Sequence, residues 1–516
     1  MPSLRGARGG NLQLTAGNSG ICGGKERGGV TVCKLAKHVA IRDMPVKPTG
    51  KLRHTCVGRA AASPMTAALG CLLLAACVHV PVFDETLGGT HSPAEIEIMG
   101  ARGPLSKKQS KAVMSRLAAQ APDAGALERH LAVEQAVAES PLFAGNEVSI
   151  LRDGAQTFPA MFAAIHAAKH YLYLEYYIFE DVSCNGEQLG DLLVAKVQEG
   201  VRIHLIYDGI GSISTPADFF TRLQTAGIQV VQFNPPNPLH AGGHFALNGR
   251  DHRKMLVADG NLVIIGGVNL STTYQSGPGS SQLTAARDVW HDTDLEISGP
   301  VVIQLEKLFQ EHWREQGGAE LAPEADSIPP AADGSEVVRI IGSTPRHLKS
   351  RYYVTVLSAI RNAEKNIWIT AAYFAPTHRE KEDLIHAARR GVDVRLLLPS
   401  HSDSNPALHV QHSHYEALLH SGVKIYERDD GILHSKTMVV DGVWSITGSS
   451  NFDFRSVLFN DEVDAVVLGK DTGEQLSTLF LDDLRNATPI DLQTWRKRSA
   501  LTRLREQFWR LWEKLL

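Results

Sequence analysis

One polar pattern occurs twice in this chain, and it limits the possible folds more than anything else in the sequence. His252, Lys254, Asp259 and Asn269 recur as His434, Lys436, Asp441 and Asn451, each 182 residues later. Two matched constellations in long apolar surroundings imply two copies of one structural unit.

Between the Lys and the Asn, each copy reads as two apolar runs split by Asp-Gly. Gly tolerates the positive φ that a two-residue hairpin turn needs, so Asp259-Gly260 and Asp441-Gly442 are expected to be turns. A regular hairpin would set His252 opposite Gly267, Lys254 opposite Ile265 and Asn269 opposite Arg250. His252, Lys254 and Asn269 would then share one face near the open end. The same count gathers His434, Lys436, Ser449 and Asn451. Seven strand residues at about 3.3 Å each put Asp259 and Asp441 roughly 23 Å from the His of their own copy, which makes them fold residues rather than catalysts.

His-x-Lys-x-x-x-x-Asp written twice, each followed by Gly-(Gly/Ser)-x-Asn, resembles the phospholipase D superfamily. Within it, Leu174-Glu-Tyr-Tyr-Ile-Phe179, Asp251-His-Arg-Lys254, Thr370-Ala-Ala-Tyr-Phe-Ala-Pro376 and Asn451-Phe-Asp-Phe-Arg-Ser456 resemble bacterial cardiolipin synthases. The similarity runs from about residue 140 to about residue 489. It implies a phosphatidyltransferase that joins a phosphatidyl group to the glycerol end of phosphatidylglycerol. The alternative within the superfamily is a hydrolytic phospholipase D or a phosphodiesterase acting on nucleic acid.

A His pair suits a two-step displacement at phosphorus. One imidazole attacks while the other protonates the leaving alcohol and later deprotonates the acceptor. Neither step requires a metal or another cofactor. Lys254, Asn269, Lys436 and Asn451 would supply donors to the phosphate as its charge develops. The resemblance assigns the nucleophile to His252 and the acid/base role to His434, and the residues alone allow the reverse. Each His also needs a group that fixes its second ring nitrogen. The resemblance points to the acidic residue on the strand after each hairpin, here Asp292 and Glu462. They lie 23 and 11 residues beyond their Asn, because residues 271–289 form an extra Gly/Ser-containing loop. His240, His244, His291, His412 and His414 lack a metal-phased spacing and read as loop or groove residues.

Charge separates the partner classes. Residues 1–76 hold 11 Lys or Arg against two acidic residues, whereas residues 77–516 hold 41 basic and 54 acidic ones. An acidic working part argues against nucleic acid held on a general basic surface; it is the resemblance that implies phospholipid substrates, phosphatidylglycerol with phosphatidylethanolamine as one candidate donor.

A chain of 516 residues has room for two sizeable cores. Residues 1–43, Gly-rich and without period, read as a doubtful or disordered leader, with Met44 favoured as the start. A basic stretch and a twelve-residue apolar run then lead to Cys77. That run suits a signal-peptide core and falls short of the roughly 20 residues a spanning helix needs. Leu74-Ala-Ala-Cys77 resembles the bacterial lipoprotein cleavage box. It implies lipidation of Cys77 and a membrane-associated enzyme of the cell envelope, anchored on the periplasmic side.

Residues 78–140 read as linker and helices. Ser106 caps one helix through about Gln120, and Leu127, Leu131, Glu134 and Val137 mark a second. Strands then alternate with helices in two tandem α/β domains, 141–330 and 331–490. Each is expected to be a mixed, largely parallel sheet flanked by helices, with the active site at their interface. Leu501, Leu504, Phe508, Leu511 and Leu515 give residues 491–516 the pattern of an amphipathic helix, which suits a membrane interface or a face packed on the domain equally well.

Overall fold

The computed structural model describes residues 96–138, 140–237, 248–275, 289–321, 334–345 and 350–515. The leader, the signal segment with Cys77, and His240 and His244 lie outside the described residues.

Each half builds one mixed sheet, and the strand order is the same in both. In the first half Gln229–Phe233, Arg202–Asp208 and Tyr171–Tyr176 run parallel. Lys254–Ala258, Leu262–Gly266, Thr293–Ser298 and Leu142–Arg152 then follow antiparallel. The second half repeats this with Lys424–Arg428, Asp393–Pro399 and Asn366–Ala371 parallel, and Lys436–Val440, Trp444–Gly448, Asn460–Leu468 and Glu336–Ser343 antiparallel. Connection length decides which strands are which: helical crossovers join the parallel ones, and tight turns join the hairpin strands. Tyr171 to Leu174 are wholly buried, as expected of a strand with both faces covered.

Leu142–Arg152 binds the halves together, because it also pairs antiparallel with Glu336–Ser343 and so merges the two sheets into one of 18 strands. Only Val148 to Leu151 reads as strand in the sequence. Gly145, at φ 94°, and a register shift beside it break the alternation, as a bulge does.

Other elements fall close to their expected places. Helix Lys107–Gln120 is closed by Ser106 in a capping box. Helix Ala124–Ala138 buries Leu127, Leu131, Glu134 and Val137. Glu134 accepts from Arg339 at 2.9 Å and from Trp444 Nε1 at 2.8 Å, tying this helix to the second sheet. His414–His420 also reads as a helix in the sequence, and the helix begins at Asn405, nine residues earlier. Its buried stripe includes Gln411, which hydrogen-bonds Pro399 O and Tyr415, so an apolar period cannot reveal it. His412, read as a loop or groove residue, thus lies within the helix and pairs with Glu427 at 2.9 Å, and His414 pairs with Glu513 at 3.4 Å.

The two hairpins keep their Asp-Gly turns but not the expected register. Asp259, Gly260, Asp441 and Gly442 all have positive φ, and Asn261 N and Val443 N close the turns onto Ala258 O and Val440 O. Pairing starts one residue later, with Ala258 facing Leu262 and Val440 facing Trp444. By that count Lys254 faces Gly266, not Ile265. A one-residue slip reverses which side chains share a face. Asn269 therefore cannot reach the His side as a regular strand residue.

Candidate active site

Asn269 and Asn451 reach the site because the chain leaves the ladder just before them. The strands end at Gly266 and Gly448, and a buried Asp on the next strand holds each departing segment. Asp294 Oδ1 accepts from Val268 N at 3.0 Å, and Asp464 accepts from Ser450 N at 3.2 Å and from its hydroxyl at 2.6 Å. A Cβ on Gly266 or Gly448 would stand 2.1 or 2.3 Å from these carboxylates, so no larger residue fits. The signal was present in the sequence as Asp292-x-Asp294 and Glu462-x-Asp464, two acidic pairs on matched strands.

The other motif Asp residues sit at the far end of their hairpins. Asp259 accepts from the backbone N of Lys169, His170 and Tyr171, and Asp441 does the same for Glu364, Lys365 and Asn366. Each clamps the start of the neighbouring strand.

Two short parallel bridges decide the histidine geometry. Arg250–Asp251 pairs with Asn460–Asp461, and Trp290–His291 pairs with Ile432–Leu433. His252 N then donates to Asp461 O at 2.9 Å, and His434 N to His291 O at 2.7 Å. Each His is thereby set beside the acidic residue of the opposite half. His252 Nδ1 lies 3.0 and 3.1 Å from the two oxygens of Glu462, and His434 Nδ1 lies 2.7 Å from Asp292 Oδ2. The two carboxylates of the strand-after-hairpin reading lie against the imidazoles, each beside the His of the other half and not of its own.

Neither carboxylate stands alone. Glu462 also accepts from Ser449 at 2.5 Å, Ser456 at 2.8 Å and Asn460 at 3.2 Å. Asp292 accepts from Thr293 N at 2.9 Å. Tyr274, from the extra loop, touches His434 Nδ1 at 3.0 Å and accepts from Asn269 Nδ2 at 3.2 Å. Nothing in the spacing marked Tyr274. Arg253, between the motif His and Lys, is buried and donates to Glu175 at 3.1 Å and to Glu462 O at 3.3 Å, so it too ties the halves.

Burial dominates the electrostatics. It lowers the His252 imidazole to about 4, against the pull of Glu462, and the Lys254 ammonium to about 7. His434 is held well below its usual range by burial and by Lys436 and Lys254, and burial also lowers Lys436. The carboxylates diverge. Burial raises Asp292 to about 7 despite Lys436, whereas for Glu462 burial is outweighed by His252, Lys254 and the Ser449 hydrogen bond, and its carboxyl is lowered.

His252, His434, Asn269 and Asn451 all line one cavity of about 580 Å³. Tyr177, Trp290, Tyr373, Arg250, Arg455 and Asp403 complete much of its wall. Lys254 and Lys436 stand behind, each donating to the backbone O of its own His. The Asn451 amide oxygen is buried and has no partner among the described residues.

Comparison with known proteins gives the family and the fold. A family model described as "Cardiolipin synthase, PLD-like domain" matches residues 161–313 and 356–484. The chain is 33% identical over 386 residues to a cardiolipin synthase of Geobacillus sp. (strain WCH70), covering 74% of each chain. It is 33% identical over 374 residues to cardiolipin synthase 2 of Bacillus anthracis, covering 72% of this chain and 71% of that one. The crystal structure of phosphatidylserine synthase from Haemophilus influenzae Rd KW20 shares the fold, with a TM-score of 0.57 at 12% identity, over 75% of this chain and all of the other. The sequence is thus homologous across both halves, and the chain belongs to the cardiolipin synthase family of the phospholipase D superfamily.

Proposed function

We propose that the protein transfers a phosphatidyl group to phosphatidylglycerol, forming cardiolipin through a phosphatidyl-histidine. The observation that carries this reading is the pair of histidines, each held through Nδ1 by a carboxylate of the other half, both opening into one cavity. With Nδ1 engaged, Nε2 is the ring nitrogen available for chemistry, and at His434 Lys436 Nζ stands beside both nitrogens, 2.8 Å from Nδ1 and 3.3 Å from Nε2.

The carboxylates suit different roles. Glu462, held as an anion, accepts the Nδ1 proton of His252 and leaves Nε2 a free lone pair, as a nucleophile needs. The His434–Asp292 pair keeps an extra proton below about 7, so His434 Nε2–H can be given to a leaving alkoxide. Once that proton is gone, the same nitrogen is a base. In the forward step His252 Nε2 bonds to phosphorus, the ester bond to the donor's headgroup breaks, and His434 protonates the departing alcohol. In the second step His434 takes the hydroxyl proton of phosphatidylglycerol, the new P–O bond forms and His252 is released. Lys254, Lys436, Asn269 and Asn451 supply the positive charge and donors around the phosphate.

Water competes with the lipid alcohol for the intermediate. Positioning can supply effective molarities of about 10⁵ M or more, against about 55 M water. Purified protein in phosphatidylglycerol micelles is therefore expected to yield cardiolipin as the main product, with phosphatidic acid minor. Phosphatidic acid dominating at high phosphatidylglycerol, with phosphatidylethanolamine also tried as donor, would make the protein a hydrolase. Cleavage of single-stranded DNA without lipid turnover would make it a nuclease.

Among the described residues, no helix is long and apolar enough to cross a membrane. Attachment through a lipid on Cys77, on the periplasmic side of the envelope, fits the Leu74-Ala-Ala-Cys77 box. Cells fed labelled fatty acid should label the parent protein and not Cys77→Ser. A labelled Cys77→Ser protein would end that idea.

A further inference from the structure

The C-terminal helix Ala500–Arg510 carries large apolar side chains that the fold leaves uncovered. Leu501, Leu504, Phe508 and Leu511 are 68, 67, 54 and 57% exposed, and they are four of the eight exposed large hydrophobic residues among the described residues. At 100° per residue they fall within about 80° of arc, so they form one stripe. The stripe is not a core face turned the wrong way, because another face does the packing. Glu506 on that face is buried and bound by Arg498, and the helix rests on helix Asn405–His420.

Two further observations give the stripe a context. Leu515, four residues past Leu511, lines the cavity that holds His252 and His434, and so does the exposed Ile210. The apolar row thus runs from open surface into the wall of the active-site cavity. Residues 496–510 also hold six Lys or Arg and one acidic residue, in a chain of net charge −4, and Lys497, Arg503 and Arg505 are exposed.

We propose that this helix lies in the headgroup layer of a bilayer containing anionic phospholipid, with the four apolar side chains in the acyl boundary, and that it holds the cavity mouth against the surface from which lipid enters. A strongly polar helix with one narrow apolar stripe, flanked by Arg and Trp, has the composition of an interfacial helix. An anionic surface complements its charge, and continuity with the cavity gives the location a purpose. The docking stands on these observations alone; the purpose rests on reading the cavity as a phospholipid site.

The test uses the full chain carrying Cys77→Ser, so that no acyl chain contributes, with and without the double substitution Leu504→Glu, Phe508→Glu. Flotation is measured with phosphatidylcholine vesicles and with equimolar phosphatidylcholine and phosphatidylglycerol vesicles. Turnover is measured on the mixed vesicles and on short-chain phosphatidylglycerol kept monomeric. The parent should float with the mixed vesicles in preference to phosphatidylcholine alone, and the double variant should lose on the order of tenfold or more of that binding. Vesicle turnover should fall with it, while turnover of monomeric lipid and the unfolding temperature stay put. Flotation that is absent in the parent or equal in the variant overturns the proposal. A parent dimer that the substitutions dissolve, with vesicle binding unchanged, assigns the stripe to a second copy of the chain. Parallel loss of monomer turnover would mean the stripe acts on the site and not on a surface. The expected flotation pattern without turnover in the parent would keep the docking and discard the phospholipid reading of the cavity.

Discussion

Alanine at His252 or His434 is expected to stop phosphatidyl transfer, but at different steps, and the difference can be trapped. Loss of the nucleophile removes the covalent route. Loss of the general acid costs on the order of 10²–10⁴-fold with a natural donor, whose departing alkoxide needs a proton. A donor that releases p-nitrophenolate needs no such proton. With it, His434→Ala should form the phosphatidyl-enzyme and accumulate it, since the base for the second step is also missing. His252→Ala should form none with any donor. Mass spectrometry of protein quenched in denaturant at neutral to mildly alkaline pH, where the P–N bond survives, reads the adduct on His252. An adduct on His434 in the His252→Ala protein would exchange the two roles. Substantial turnover by either variant, or loss of wild-type activity with EDTA, would remove the two-histidine mechanism altogether.

The exchanged carboxylates give the second large effect. Glu462→Gln and Asp292→Asn keep shape and remove charge, and groups that orient a reactive imidazole through Nδ1 are worth about 10–100-fold or more. Turnover should fall by at least that much, with KM moving only a few-fold. Because Glu462 holds His252 and Asp292 holds His434, the two variants should differ with the activated donor. Asp292→Asn should recover its first step, as His434→Ala does, whereas Glu462→Gln should not. Recovery by Glu462→Gln alone would place each carboxylate with the His of its own half. The wild type adds a check on sign. Asp292 is raised to about 7, so the acid form of its pair is present below that pH and lost above it. When headgroup departure limits the rate, turnover should fall as pH rises through about 7, and the p-nitrophenyl donor should flatten that limb.

The sequence by itself determined the duplication, the strand and helix alternation, the Asp-Gly turns and the recurring His, Lys and Asn; Asp292 and Glu462 came from the family resemblance. Hydrophobic period and turn chemistry are local, written within a few residues of where they act, and the recurrence at 182 residues is read directly by comparing one stretch with the other. It also assigned Asp259 and Asp441 to the fold, because strand length alone puts them out of reach.

Only the tertiary structure decided how those residues meet. An extra residue after each turn, Asn261 or Val443, moved the register by one, and buried Asp294 and Asp464 then redirected the chain so that Asn269 and Asn451 still arrive at the cavity. The Glu462–His252 and Asp292–His434 pairs depend on strand bridges between residues about 140 to 210 positions apart, which no local pattern encodes. Tyr274 joined the site from a loop with no period. The C-terminal helix has one stripe in sequence and two different faces in space. Only packing shows that Glu506 faces inward while Leu504 and Phe508 face out, because a hydrophobic pattern records which side chains avoid water and not what covers them.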